Sequence, residues 1–148
     1  MELKDITKIA TVVTSDTTLE EALSRMLSSE ANVLLVVDEE SSLIGEVTIS
    51  DLFDGIIPVA TDGDSAMEYF KNEDAFAEAL RNSKDTPVSE FMSSDFSAVY
   101  PTDSIMDVAA TAIAHQRAQI PVVDHDNHPI GIISRRELKQ ILATFLGK

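Results

Sequence analysis

The sequence contains no cysteine and no tryptophan, and only 11 basic side chains stand against 26 acidic ones in its 148 residues. Without cysteine the chain can form neither disulfides nor thiolate metal sites, which fits a reducing cytoplasm. No apolar run approaches the roughly 20 residues that a transmembrane helix needs, and the first ten residues lack the apolar core of a signal peptide. We therefore expect a cytoplasmic protein that has no membrane partner.

The shortage of positive charge also argues against a nucleic-acid partner, because phosphate backbones are bound by clustered Lys and Arg. The net charge of −15 is carried by one part of the chain. Residues 1–98 hold 6 basic and 21 acidic side chains, whereas residues 99–148 hold 5 of each. Three of the last five basic residues, Arg135, Arg136 and Lys139, lie in one short stretch. An anionic ligand is expected there.

An internal repeat is the strongest pattern in the sequence. Residues 12–52 align without a gap to residues 98–138 at an offset of 86. The identical pairs are Val13/Val99, Val36/Val122, Val37/Val123, Asp38/Asp124, Ile44/Ile130, Gly45/Gly131 and Leu52/Leu138. Two copies of one small unit, neither able to bury its own apolar face, are expected to pack on each other.

Each copy reads as β-α-β-β-α. The predicted strands cover residues 11–13, 33–37 and 43–49 in the first copy, and 97–100, 119–123 and 130–134 in the second. The first and second strands of each copy are expected to pair in parallel through a right-handed crossover, and the second and third to pair antiparallel. A last helix in the second copy carries an apolar face of Leu138, Ile141, Leu142, Phe145 and Leu146.

The first helix of each copy begins at a predicted capping box. Thr18 precedes Glu21, and Ser104 precedes Asp107, by the three residues that such a box requires. Apolar residues recur at helical spacing after each box, and both stripes are predicted to be core. They are Leu19, Ala22, Leu23, Met26 and Leu27, and Ile105, Val108, Ala109, Ala112 and Ile113.

The copies place the first repeat at residues 1–53 and the second at residues 87–148. Residues 54–86 form an inserted acidic linker, in which Pro58, Asp62 and Gly63 predict a loop. A further box at residues 65–68 predicts a helix that ends near Asn82. Its apolar residues, expected to pack inward, are Met67, Phe70, Phe76 and Leu80.

The residues around the second polar turn resemble a known family. Residues 121–124 (PVVD) and 131–138 (GIISRREL) are similar to the second half of a CBS domain, named after cystathionine β-synthase. Residues 35–38 and 45–52 show the same pattern, and residues 86–92 resemble the lead-in segment of such a repeat. The resemblance implies an α/β (α+β) fold in which two repeats form a pseudo-twofold CBS pair, or Bateman module.

Members of that family bind adenosine compounds such as AMP, ADP, ATP or S-adenosylmethionine as regulatory ligands, and they commonly form homodimers. The resemblance therefore implies a regulatory module that acts on an unidentified effector protein. A structural module that dimerises or docks a partner, and binds no nucleotide, is the alternative.

The chemistry of the second copy agrees with a nucleotide site. A helix that begins at Ser134 offers free N–H groups to an anion, and Glu137 is placed to accept hydrogen bonds from a ribose. Arg135 and Arg136 carry donors suited to phosphate, and Pro121 marks a strand edge or bulge where the preceding backbone could address adenine. The resemblance adds Thr102 as a phosphate contact. The nominated residues are Thr102, Ala118, Gln119, Ile120, Pro121, Ile133, Ser134, Arg135, Arg136 and Glu137.

The structural alternative is that Ser134 and Glu137 form an ordinary Ser-x-x-Glu helix cap, a role that is compatible with binding. In the first copy Thr48 and Asp51 keep the hydroxyl and the carboxylate, but Ile49 and Ser50 replace the arginines. We expect this weaker site to be empty or to take a less anionic adenosine compound.

Other chemistry receives little support from the sequence. Residues 124–128 (DHDNH) and 62–64 (DGD) contain ligand-type side chains, but Asp, Asn and Gly are ordinary turn residues. There is no nucleophile motif, P-loop or dinucleotide-binding glycine pattern. We therefore expect no metal, no required cofactor and no catalytic residues.

Overall fold

A computed structural model of the chain describes residues 1–56, 71–115 and 119–148. The first half contains α1 (Leu3–Ile6), β1 (Val12–Thr14), α2 (Leu19–Ser29), β2 (Val33–Val37), β3 (Leu43–Thr48) and α3 (Ile49–Ile56). The second contains α4 (Glu73–Ser83), a 3-10 turn (Val88–Glu90), α5 (Ile105–His115), β4 (Ile120–Val123), β5 (Pro129–Ile133) and α6 (Arg135–Phe145). The fold is α+β. Among these elements, no helix is both long and apolar enough to cross a bilayer.

The sheets have the predicted strand directions. β1 pairs in parallel with β2, which pairs antiparallel with β3, and β4 pairs antiparallel with β5. Both antiparallel pairs shift register at the same repeat position, after Val36 in one and after Val122 in the other. The two copies therefore share their irregularities as well as their strands.

The strand predicted at residues 97–100 is wrong in extent, because only Val99 forms a bridge, parallel to Val122. In the first repeat Leu35 donates its backbone N–H to Thr11 across the equivalent pair of strands, at 2.9 Å. Pro121 stands at the matching position and has no N–H to donate. The missing donor accounts for the loss of pairing on the N-terminal side of Val99.

The polar turns of the two repeats are built in the same way. The Asp38 carboxylate accepts backbone N–H bonds from Glu40 and Ser42, at 2.9 and 3.0 Å. Asp124 accepts the equivalent bonds from Asp126 and His128, both at 2.9 Å. A shared aspartate therefore closes each turn through its side chain.

The helix starts are confirmed, but the predicted core stripes are too wide. Thr18 accepts a hydrogen bond from the backbone of Glu21, and Ser104 and Asp107 form both bonds of a capping box. Leu27 is 72% exposed and Ile113, its equivalent, is 80% exposed, so neither belongs to the core. Leu23 is also exposed. These residues lie on the outer edge of helices whose buried edge alone faces a sheet.

The insertion contributes one described helix, α4, which Asn72 caps by accepting a bond from the Ala75 N–H. It ends at Ser83, close to the prediction, but it begins only at Glu73, so a single helix running from residue 65 is wrong in extent. The predicted box at residues 65–68 and the loop at 58–64 lie outside the described residues. Phe76 and Leu80 pack inward against the first core, as predicted. Phe76 stacks on Phe53 of α3, with ring centroids 6.4 Å apart.

Among the described residues, apolar side chains gather in three clusters, one inside each repeat and one between them. The cluster between the repeats contains residues of both sheets, Val33, Leu35, Leu43, Val123 and Ile132. Asn127 reinforces this contact because its side-chain amide donates to the carbonyl of Leu43, at 3.0 Å. The repeats thus pack through their sheets.

The chain crosses over between the repeats. A first lead-in segment, residues 3–8, buries Leu3 and Ile6 in the core of the second repeat. A second lead-in segment, residues 86–93, buries Val88 in the core of the first. Each core is therefore completed by the residues that precede the other repeat.

Backbone pairing fixes both lead-in segments at matching positions. Lys8 exchanges two N–H···O bonds with Ile132, at 2.8 and 2.9 Å, and Ser93 exchanges two with Glu46, both at 2.9 Å. The neighbouring residue in each sheet is a glycine. A Cβ on Gly131 would overlap the carbonyl oxygen of Lys8, and one on Gly45 would meet the Met92 sulfur at 2.7 Å. The glycines shared by the repeats thus allow this close approach.

The crossover predicts a large difference between two isoleucines three residues apart. Ile6 is 2% exposed and Ile9 is 95% exposed. We expect Ile6→Ala to lower the free energy of unfolding by about 2 to 5 kcal/mol, because it opens a cavity in the second core. The matched Ile9→Ala change should stay within about 0.5 kcal/mol of the wild type. Urea unfolding measures both, and equal effects would contradict the assigned packing of residues 3–8.

Candidate ligand site

The nominated acidic residue of the second repeat, Glu137, is buried at the start of α6. Its side chain is only 2% exposed. One carboxylate oxygen accepts a hydrogen bond from the Ser134 hydroxyl. The other lies 2.7 Å from the ammonium nitrogen of Lys8, on the first lead-in segment. Glu137 is therefore held by two side chains, one of them from the far end of the chain.

The ion pair controls the charge of this buried group. Burial raises the pKa of Glu137, but the hydrogen bonds from Lys8 and Ser134 act in the opposite direction and prevail. The net result is a pKa below the ordinary value of a glutamate. The carboxylate is thus ionised at neutral pH despite its burial.

The first repeat satisfies its carboxylate differently. One oxygen of Asp51 accepts bonds from the Thr48 N–H and hydroxyl, at 2.8 and 3.1 Å, and the Thr48 hydroxyl accepts from the Asp51 N–H at 3.3 Å. The other oxygen accepts from the Ser93 hydroxyl at 3.0 Å. The bonds between Thr48 and Asp51 form a capping box, so the helix-cap alternative is realised here. In the second repeat, by contrast, Ser134 makes no side-chain cap bond.

Lys8 and Ser93 occupy equivalent places, and the prediction from the sequence missed both. Each pairs through its backbone with the middle of the third strand and contacts the carboxylate of the repeat that it crosses to. A second alignment reveals their relation, since residues 3–8 match residues 88–93 at an offset of 85 rather than 86. The pairs Leu3/Val88 and Ile6/Phe91 carry that match.

Most of the remaining nominated residues are either buried in strands or exposed and polar. Ile120 and Ile133 face each other in the register of β4 and β5, and both are fully buried. Arg135 and Arg136 are exposed on the first turn of α6, and Thr102 is exposed on the turn before α5. Within the described residues these three make no hydrogen bond or ion pair with the group around Glu137. Gln119 is half-buried beside β4, Pro121 is buried within it, and Ala118 lies outside the described residues.

The acidic turn of the second repeat brings Asp124, Asp126 and His128 within 4.8 Å of one another. Hydrogen bonds from the backbone hold the pKa of Asp124 below its ordinary value, and the bond from the His128 N–H has the largest effect. In the first repeat, Glu40 and Ser42 replace Asp126 and His128, yet Asp38 closes the turn with the same two bonds. The turn itself therefore accounts for the proximity of these side chains.

Two cavities lie near the lead-in segments. One of about 270 Å³ is lined by the first lead-in segment and by Pro101, Val122 and Ile130. The other, about 650 Å³, lies between β1 and α2 and contains none of the nominated residues. The smaller cavity is not lined by a nominated residue either, but it borders Lys8 and Pro101, the residue before Thr102.

The tandem repeat with crossed lead-in segments can be compared with known families. The family model described as the CBS domain matches residues 3–58 and again residues 88–144. The chain belongs to the CBS domain family. It forms a tandem CBS pair, in agreement with the resemblance seen in the sequence.

Solved CBS structures have the same fold. The CBS domain of a CBS domain-containing membrane protein from Sphaerobacter thermophilus is 27% identical, with a TM-score of 0.76 over 95% of this chain and 86% of that one. CBSX2, a CBS-pair protein of Arabidopsis thaliana solved with AMP, is 20% identical, with a TM-score of 0.68 over 97% of both chains. The CBS pair of protein MJ0100, solved with 5′-methylthioadenosine and S-adenosyl-L-methionine, is 21% identical, with a TM-score of 0.68 over 96% and 99%.

The ion pair of Lys8 with Glu137 predicts a pH-dependent contribution to stability. Because the folded pKa of Glu137 is depressed, its contribution is present above the unfolded pKa and is lost as the pH falls through the folded one. We expect Lys8→Met to lower the unfolding free energy by about 1 to 3 kcal/mol near neutral pH. This loss should shrink at acidic pH, because protonated Glu137 no longer forms the pair.

Urea titrations of the wild type and the variant at several pH values measure this difference. Lys4→Met is the matched control, since Lys4 lies on the same segment and pairs with Glu2 in solvent, 3.3 Å away. It should change stability by less than about 1 kcal/mol. A loss for Lys8→Met that is independent of pH would be inconsistent with the ion pair.

Proposed function

We propose that this CBS pair is a regulatory module that binds an adenosine-containing nucleotide at the second repeat. The strongest support is the charge difference between the repeats. Arg135 and Arg136 lie exposed at the start of α6, where the equivalent residues of the first repeat are Ile49 and Ser50. Free N–H groups at the helix start and two guanidinium groups favour a phosphate. The AMP bound by CBSX2 and the adenosine compounds bound by MJ0100 support the same ligand class.

In this proposal, Glu137 receives the ribose. A buried carboxylate that is already ionised can accept hydrogen bonds from two adjacent hydroxyls. Lys8 and Ser134 hold that place now, so ribose binding exchanges their hydrogen bonds for those of the ligand. The buried backbone around Ile120 and Pro121 would lie against adenine, and Thr102 would contact phosphate.

We propose that the module acts without catalysing a reaction and lies in the cytoplasm. Ligand binding would shift the balance between arrangements of the two repeats, and an effector protein would respond to that shift. The absence of cysteine supports a reducing compartment. No cofactor is required in this scheme, because the nucleotide itself is the signal.

A nucleotide-free structural module remains the second candidate, and the Lys8 contact favours it. The carboxylate that would bind ribose already forms an ion pair with Lys8 and accepts a hydrogen bond from Ser134. In such a module these bonds would serve only to join the repeats.

Ligand-dependent unfolding separates the two candidates. A ligand at 100 times its dissociation constant stabilises the folded state by about 2.7 kcal/mol. We expect AMP, among a panel with ADP, ATP and S-adenosylmethionine, to raise the unfolding temperature, and Arg136→Ala to reduce that shift. Asp51→Ala is the matched control, because Asp51 is the equivalent of Glu137 in the first repeat. It should leave the AMP-induced shift in place. No shift with any compound would favour the structural module.

We propose further that the module is a homodimer. Large apolar side chains are exposed on both helices of the second repeat, and exposed apolar surface of this kind often marks an interface. They are Met106, Ile113, Leu142, Phe145 and Leu146. In the first repeat, by comparison, α3 is partly covered by α4 of the insertion, where Phe76 stacks on Phe53.

Sedimentation equilibrium tests the dimer. The wild type should have about twice the 16.1 kDa mass of one chain. Phe145→Glu should shift the protein to monomer, because a charge would be buried at the interface. The adjacent exposed change Thr144→Glu should leave the dimer intact. A monomeric wild type would refute the proposal.

A further inference from the structure

The side chain that occupies the proposed ribose position comes from the opposite end of the chain. Lys8 is half exposed, whereas the Glu137 carboxylate that it contacts is almost completely buried. Two backbone hydrogen bonds to Ile132 fix the main chain of Lys8 beside β5. Only its flexible side chain can move without disturbing the packing of the segment.

When the ligand displaces Lys8 from Glu137, the consequences differ for the carboxylate and for the ammonium. The ribose hydroxyls can satisfy Glu137, which would otherwise remain a buried, unpaired carboxylate. The displaced ammonium loses its ion pair and regains it only if the ligand offers an anion nearby. A phosphate on the same ribose does so, whereas an uncharged nucleoside does not.

We propose that Lys8 is a specificity-determining residue of the second-repeat site, selecting nucleotides with an anionic group on the ribose over uncharged adenosine compounds. This inference rests on the proposed function of that site. The released side chain has space to enter, because Lys8 lines a cavity of about 270 Å³ together with Pro101, the residue before Thr102. In this proposal, a Lys8 ammonium released from Glu137 would turn into that cavity and meet the anionic group of the ligand there.

The first repeat lacks this selection. Ser93 holds the position of Lys8 there and contacts Asp51 through an uncharged hydroxyl. Displacing Ser93 frees no cation and creates no demand for an anion. The same geometry thus accounts for the expected difference in ligand charge between the two sites.

Calorimetric titration with AMP and with adenosine tests the proposal. The wild type should bind AMP at least about tenfold more tightly than adenosine. In Lys8→Met we expect AMP to bind about tenfold more weakly, because its phosphate loses a partner, and adenosine to bind more tightly, because it no longer has to break an ion pair to reach Glu137. Opposite changes for the two ligands distinguish selection by charge from general damage to the site. Lys4→Met should leave both affinities within about twofold of the wild type.

Two further variants keep the test decisive. If Lys8→Met is unfolded at the assay temperature, Lys8→Gln replaces it, since an amide can donate to Glu137 without carrying charge. Its effects should have the same direction. Lys8→Arg, which retains the charge, should retain the preference for AMP.

The outcomes separate this proposal from the function on which it rests. Binding of AMP by the wild type, with both affinities changed equally or not at all by the neutral variants, would overturn the role of Lys8 alone. Binding of neither ligand by the wild type would refute the nucleotide site and this proposal with it. Opposite changes of the two affinities in the neutral variants, with the wild-type preference retained in Lys8→Arg, would establish it.

Discussion

The backbone pairing of Lys8 with Ile132, and of Ser93 with Glu46, determines how the two repeats of this protein fit together. Each pairing places a short lead-in segment along the third strand of the opposite repeat. The glycine beside each pairing leaves room for it. The apolar residues of the same segments then complete the two cores. The packing of the sheets and the position of the proposed site both depend on this exchange.

The exchange also explains why equivalent sites have different chemistry. The lead-in segments deliver one side chain each to the carboxylate at the start of a helix, and these side chains are a lysine and a serine. The lysine keeps the buried Glu137 charged. The serine only donates a hydrogen bond to Asp51. The asymmetry seen in the paired arginines is therefore matched by a second asymmetry beneath them.

Features that depend on neighbouring residues could be predicted from the sequence. The caps at Thr18 and Ser104 follow from three-residue spacing, and the strand at 33–37 follows from an uninterrupted apolar run. Tertiary features could not. Helical periodicity places Leu27 and Ile113 on the apolar stripe but does not show how wide the facing sheet is. The contact of Lys8 with Glu137 joins distant parts of the chain, so no local pattern indicates it.

The crossed segments also determine the order in which the protein can fold. Residues 3–8 are synthesised long before β5, the strand that they pair with, which ends at Ile133. Closing a loop of that length is entropically costly and is expected to slow folding. Leu3 and Ile6 cannot be buried in this core until the second sheet has formed. Folding of this CBS pair is therefore expected to be complete only after β5 has been synthesised.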